Sequence, residues 1–458
     1  MTYDAYSPLG ARAAWARANQ RDVLSSRRTD EYLFRYTLLT TCLFCVRDGL
    51  TAAFRYLLDI LHLSIVWFVP DGMAFVCLAG FILTACIRDK QPAAILIVLA
   101  FGFSILMSIV FFSGDLIVVF SSIKMFMPMI VGFCFRGRSF FEWRYAKLFI
   151  GVVFVISVMG VIINPYIQYP WTNFSTTDAF GLTRTAQKLW WAGGETRFGG
   201  FAGDSTMAAF MILFSYVMLS RQMSLLVNLI CWPLCLWALQ VTTSKTALGL
   251  FVVYIGVYLA LRAVPRRRSL ALARVLTAVS FICILVPPLL MLSVSGVDLG
   301  AFDSRLSSLA DRINNTWGGP FLIISDIFPP GLFTGCGLGC YAYPMKYSSL
   351  VDYFLPLDSF YLATFLQMGY PFLAFVILMF FYIKRTLDPI KLLLLLTWNI
   401  YSVTVQGYGP SYATLVFGYA VSEIFVAQKR RRDAISIGHG ERLIENVDRQ
   451  RKAEDAPW

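Results

Sequence analysis

Charge is what this sequence has least of. Aspartate, glutamate, lysine and arginine make up 14% of its 458 residues, where a soluble domain carries about 25%. That shortage excludes an ordinary water-soluble globule. Histidine is rarer still, with His62 and His439 as the two copies. The ten cysteines lack metal-ligand spacing. Most lie in or beside apolar runs, where a free thiol behaves as a small hydrophobe. Residues 1–30 are polar and mixed in charge (Arg12, Arg17, Asp22, Arg27, Arg28, Asp30), so no cleavable signal peptide is expected. No internal repeat is visible.

What is present is apolar sequence, 58% of the chain, with 16% aromatic residues. Several runs reach the length of about 20 residues that a helix needs to cross a bilayer. Lipid leaves backbone groups unsatisfied, so spans are helices or closed barrels, and continuous apolar runs exclude a barrel. The expected fold is therefore all-α and polytopic, with about twelve transmembrane helices. The first starts near Tyr32 and is broken by Arg47, Asp48, Arg55 and Asp59, as a short span with an amphipathic, partly re-entrant piece would be. The others fall near 72–87, 93–112, 116–135, 148–163, 203–220, 223–241, 246–262, 275–294, 358–383, 391–406 and 411–428. This divides the chain into an N-terminal tail 1–31, a membrane domain 32–428 and a basic C-terminal tail 429–458.

A net charge of +12 invites a nucleic-acid partner, but the cations sit in short connections and tails, where membrane topology puts them. Alternate connections hold Arg88 and Lys90, then Arg136, Arg138, Arg144 and Lys147, then Arg221, then the run from Arg262 to Arg274, then Lys384, Arg385 and Lys391. Both tails fall on that side, which is cytoplasmic by the positive-inside rule. The opposite face carries two long loops, 164–203 and 295–357, and tight turns near Gly114, Thr243 and Gly407.

The cations that break the rule are the informative ones. Arg197 stands before a span among glycines, and Lys245 occupies an outer turn, Val241-Thr-Thr-Ser-Lys245. Arg305 and Arg312 are seven apart, two helical turns, with Leu306, Leu309 and Ile313 as the adjacent apolar stripe and Asp303 as a possible cap. Outer Lys and Arg are also ordinary snorkelling residues. Several on one face, however, suit a diphosphate, which guanidinium groups bind bidentately and lysine binds as a point charge. Lys124, inside a span, would either join them or pair with an acid such as Glu423. The outer acids are Asp204, Asp326 and Asp358. Asp358 is placed either as a general base or as a helix N-cap. The aromatic set Trp171, Trp190, Trp191, Tyr341, Tyr343 and Tyr347 suits sugar stacking and an interfacial belt alike. Cys336 and Cys340, four apart in a glycine-rich loop, would pair only on an oxidising face.

These residues resemble a known family, the Wzy-type polysaccharide polymerases and O-antigen ligases of bacterial envelopes. Three places carry the resemblance. Arg197-Phe-Gly-Gly-Phe-Ala-Gly-Asp204 looks like the family's arginine-glycine segment before a span. Val241-Thr-Thr-Ser-Lys245 looks like its T-x-S-R turn, with lysine replacing arginine. Arg312 to Trp317, then Gly335-Cys-Gly337-Leu-Gly339, then Asp358-Ser-Phe-Tyr361-Leu and Gly369, look like its long loop and the span after it. The chain departs from the ligases where they have His-Asn before Tyr-Leu: here Asp358 and Ser359 stand there. A histidine-dependent ligation does not carry over, which favours a polymerase of the xanthan or acetan gum kind.

The resemblance implies a GT-C-like helical fold with one large periplasmic loop in a bacterial inner membrane. It implies a metal-independent glycosyltransferase with no soluble cofactor, acting on oligosaccharide linked to undecaprenyl diphosphate within membrane lipid. A chain-length regulator and a flippase are the partners it implies. Arg197, Lys245, Arg305 and Arg312 would hold the diphosphate and Asp358 would accept the proton. Asp204, Gly335, Gly337, Gly339 and Tyr361 would shape the substrate loop. A ligase-like glycan transferase and a lipid-glycan flippase or transporter remain the alternatives.

Overall fold

The computed structural model describes residues 8–177, 183–192, 195–294 and 307–426. It is mostly helical. Helix α1 (Pro8–Gly49) meets α2 (Thr51–Ile60) at a bend of 90°. A short turn leads to α3 (Val69–Phe81), extended by a π turn over Ile82–Arg88. Then follow α4 (Pro92–Phe111), α5 (Leu116–Phe133) and α6 (Ala146–Ile163). Two small antiparallel hairpins come next, β1 (Ser175–Thr177) with β2 (Thr183–Thr185) and β3 (Trp190–Ala192) with β4 (Glu195–Arg197). After them run α7 (Ser205–Ser220), α8 (Leu225–Val241), α9 (Lys245–Ala263), α10 (Arg266–Ser280) and α11 (Ile282–Val294). The last part holds α12 (Ser307–Asp311) with a π turn over Arg312–Trp317, α13 (Gly319–Ile327) and α14 (Gly331–Thr334). It ends in α15 (Phe360–Met368), α16 (Tyr370–Tyr382), α17 (Pro389–Tyr401) and α18 (Ser411–Val421).

Among the described residues, six helical stretches are long and apolar enough to cross a membrane: Ser64–Arg88, Pro92–Phe111, Leu116–Phe133, Ala146–Ile163, Lys245–Ala263 and Arg268–Val294. The bent α1–α2 pair would be a seventh, and α7, α8 and α17 are apolar but shorter. Helix starts follow local chemistry. Asp115, Asp204, Ser224 and Asp388 cap α5, α7, α8 and α17 by accepting backbone N–H groups. Pro92 and Pro389 stand in the first turns of their helices, where the missing N–H costs nothing.

The stretch 358–383, expected as one span, is two helices. It breaks at Gly369, whose φ is 64°. The break makes room for the chain at Gly335: a Cβ on Gly369 would strike the backbone of Phe333 and Thr334. The glycine-cysteine turn is itself buried. Cys336 N–H donates to Leu366 O (2.8 Å), Gly337 N–H to Gln367 O (3.1 Å) and Leu338 N–H to Ser104 O (3.3 Å), while Ser108 Oγ donates to Leu338 O (2.7 Å). Irregular backbone survives inside a helical bundle where protein satisfies its polar groups in this way. Cys336 and Cys340 are joined as a disulfide within the turn.

The helices α5 and α18 meet at Gly132 and Gly418, where a Cβ on either residue would run into the other helix's backbone. Small residues permit such close approach. Gly418→Leu should therefore lower the midpoint of thermal unfolding in detergent, by an overpacking cost of at least about 1–3 kcal/mol. An unchanged midpoint would show that the two helices separate freely.

Ion pairs close the end of the bundle away from the long loops: Arg88–Asp30 (2.7 Å), Arg136–Asp89 (2.8 Å) and Arg138–Glu31 (2.8 Å). Lys391 Nζ, fully buried, holds Glu423 at 2.6 Å. Glu423 is thus committed, and the acid that Lys124 meets is Asp71, at 3.4 Å. The pairing of Lys124 with Glu423 weighed from the sequence is corrected accordingly.

Candidate functional site

The residues singled out in the sequence gather at the end of the bundle formed by the 164–203 loop and the 307–357 segment. The organising piece is the loop between α17 and α18. Arg312, half-buried in the π turn after α12, donates through Nη1 to Thr404 O at 3.1 Å. The same nitrogen lies 3.5 Å from Asp358 Oδ2. Thr404 Oγ1 in turn shares a hydrogen bond of 2.8 Å with Thr246 Oγ1, one residue beyond Lys245. Phe198 N–H donates to Val241 O, which ties the strand carrying Arg197 to the turn carrying Lys245. One connected set of contacts therefore links four of the five residues expected to bind diphosphate or move the proton. The fifth, Arg305, lies outside the described residues, as do Asp303 and Leu306.

Asp358 is not the cap of α15. The cap position belongs to Ser359, whose side chain makes no capping bond. Phe360 N–H is satisfied instead by Ser402 O (3.0 Å) and Val405 O (3.1 Å). Burial raises the Asp358 acid above its ordinary value, the Arg312 charge opposes that rise, and Asp311 adds to it. The carboxylate remains 42% exposed, so a ligand can reach it.

Lys245 is exposed and Arg197 half-buried. Neither makes an ion pair among the described residues, and the buried Nε of Arg197 has no hydrogen-bond partner. Three hydroxyls nearby are also buried without partners: Thr243 Oγ1, Ser359 Oγ and Ser402 Oγ. Thr243 holds a positive φ of 53°, uncommon for a residue that is not glycine. An oxyanion bound here would accept from these donors. The sequence marked Thr243 only as a neighbour of Lys245, and it gave no sign of Ser402.

The remaining expected site residues sit further back. Asp204 caps α7 through Met207 N–H at 2.8 Å, and burial pushes its acid up, against the pull of those N–H groups and Lys188. Tyr361 is buried, with its hydroxyl on Asn399 Oδ1. Gly335, Gly337 and Gly339 take φ near 83°, 95° and 86° and pack against α15, α4 and Ser122 of α5. Their positions support the site from behind.

A second charged cluster was not assembled from the sequence. Arg47, 4% exposed, bonds Asp48 (3.3 Å) and Asp71 (2.9 Å), and Tyr412 N–H donates to Asp48 Oδ2 at 2.6 Å. Lys124 shares Asp71. Arg55 lies 4.5 Å over the Trp67 ring. This cluster holds the α1–α2 bend, and Ala52 N–H donates to Phe201 O beside it. No family model, curated protein or solved structure matches this chain.

Proposed function

We propose that this chain is a polysaccharide polymerase of a bacterial inner membrane. It transfers a growing glycan from undecaprenyl diphosphate to a sugar hydroxyl of a new lipid-linked repeat unit. The observation that carries the reading is the Arg312–Asp358 pair beside Thr404, with Lys245 and Arg197 on adjoining segments. The twelve-span, GT-C-like reading counts the bent α1–α2 pair, the broken α15–α16 pair and the shorter α7, α8, α17 and α18 with the six long stretches. Both termini are then cytoplasmic and the site is periplasmic.

In the step itself the acceptor oxygen forms a bond to the donor's anomeric carbon. The bond from that carbon to the diphosphate oxygen breaks, and undecaprenyl diphosphate leaves with the electron pair. The acceptor's proton goes to the Asp358 carboxylate. Negative charge grows on the leaving oxygen, and fixed cations stabilise it there more than in the ground state. Arg312 has five N–H donors, so its bond to Thr404 leaves others for phosphate oxygens. Its contact with Asp358 is long enough to yield to them.

Asp358→Asn should lower polymer formation by about 10²–10⁴-fold, the usual contribution of a general base, with lipid-linked repeat units accumulating. The readout is extracted glycolipid and secreted polymer from a deletion strain carrying each variant. Wild-type polymer from Asp358→Asn would remove the base assignment. Transfer to a core acceptor without chain growth would select a ligase, and repeat units trapped on the cytoplasmic leaflet would select a flippase.

A further inference from the structure

The cluster at the α1–α2 bend has more positive charge than its acids neutralise. Arg47 and Lys124 are matched by Asp48 and Asp71. Arg55 makes no ion pair among the described residues: the charges of Arg184 and Arg47 repel it, and Asp48 attracts it without pairing with it. What Arg55 has is an aromatic surround. Its guanidinium lies over Trp67, and the next residue of α2, Tyr56, meets the Phe174 ring at 5.0 Å beside β1, the strand that pairs with β2. Arg184 on β2 lies 5.0 Å from the centre of the Tyr343 ring and 5.6 Å from that of Tyr347. Lys346 approaches the Tyr343 ring at 5.9 Å. Tyr343 is 44% exposed, so the cluster opens to solvent at this point.

We infer that Arg55, with Arg184 and the Tyr343–Tyr347 shelf, forms a second binding site that takes an acidic sugar residue of the glycan. This rests on the reading that glycan is the substrate, and it names a class of repeat unit. Exposed aromatic faces stack on the C–H faces of sugar rings. A guanidinium beside them takes a carboxylate through paired hydrogen bonds. Within the α1–α2 cluster the one cation beyond its two acids is Arg55, and one carboxylate would match it. The site lies apart from the Arg312–Asp358 pair but on the same end of the bundle. The Arg47 N–H groups are spent on Asp71, Asp48, Ser411 and the Trp67 carbonyl, which leaves Arg55 as the guanidinium for the ligand.

The test uses the full chain in nanodiscs and three probes: a tetrasaccharide ending in a uronic acid, the same tetrasaccharide ending in the neutral sugar, and inorganic diphosphate. Wild type should bind the acidic probe about tenfold more tightly than the neutral one, the worth of one charged hydrogen bond. Arg55→Leu should erase that difference and leave neutral binding unchanged, and Arg55→Lys should restore part of it. Tyr343→Ala, at an exposed position, should weaken both oligosaccharides alike. Equal binding of the two oligosaccharides by wild type would overturn the proposal, as would an unchanged preference in Arg55→Leu. Diphosphate that displaces the acidic probe through Arg55 in an Arg312→Ala background would also overturn it, by assigning the site to phosphate. The polymerase reading fails separately: if the deletion strain still makes polymer while the Arg55-dependent preference persists, the polymerase role falls and the acidic-glycan site stands.

Discussion

Arg312→Ala should reduce polymer synthesis by about 10²–10³-fold, the loss seen when one preorganised donor to a developing oxyanion is removed. Protein in the membrane and lipid-linked repeat units should both persist. The side chain is half-buried and its two contacts, Thr404 O and Asp358, are at the site rather than in the core, so the fold does not hang on it. Arg312→Lys should recover only part of the activity, because an ammonium restores the charge without the planar fork. The pH profile separates this role from simple packing. Asp358 must be ionised to accept a proton, so activity falls as pH drops through its pKa. Burial already raises that pKa and Arg312 opposes the rise. Removing the guanidinium removes the opposition, so the acid limb of the residual activity should move to higher pH. An unshifted limb would separate the two residues, and normal polymer in Arg312→Ala would end the diphosphate assignment.

The apolar runs were legible because a membrane span is a local property of about 20 residues. The interrupted first span was legible too: Arg47, Asp48 and Arg55 fall where α1 bends into α2. What local pattern could not show is where a polar turn goes. Gly335-Cys-Gly-Leu-Gly339 reads as an open substrate loop. It is buried because Ser104 and Ser108 on α4 and Gln367 on α15 complete its hydrogen bonds. Those partners lie far away in sequence, and the serines look like any small residues in a span. Gly369 likewise reads as a tolerated helix glycine until the turn is seen pressing against it.

The candidate site was legible as a set of residue types more than as an arrangement. Cations on the side that membrane topology leaves poor in them pointed to Arg197, Lys245 and Arg312, and the acid at a loop-to-helix junction pointed to Asp358. That Arg312 and Asp358 touch is a contact across 46 residues, and the same nitrogen donates to Thr404 O, a residue that carries no signal of its own. Asp71 was missed for a related reason. A lone Asp after Pro70 reads as part of a helix start, whereas its partner Arg47 stands 24 residues earlier, across the bend.

Arg47→Met should destabilise the protein by about 3–5 kcal/mol, the cost of leaving a buried charge unpaired. Arg47, Asp48 and Asp71 have side chains no more than 5% exposed, so water cannot take over from the guanidinium. Lys124 still reaches Asp71, but Asp48 would keep only the Tyr412 N–H. The effect should appear as a lower unfolding midpoint in detergent and less folded protein in the membrane. The double variant Arg47→Met with Asp48→Asn should be more stable than Arg47→Met alone, because it also removes the carboxylate that the single change leaves without a cation. Its recovery should be incomplete, since Asp71 keeps Lys124 alone. A double variant no better than the single one would mean that Arg47 acts through its stacking on Phe44 and Trp67 instead. That outcome would make the bend a packing feature, with its charges as passengers.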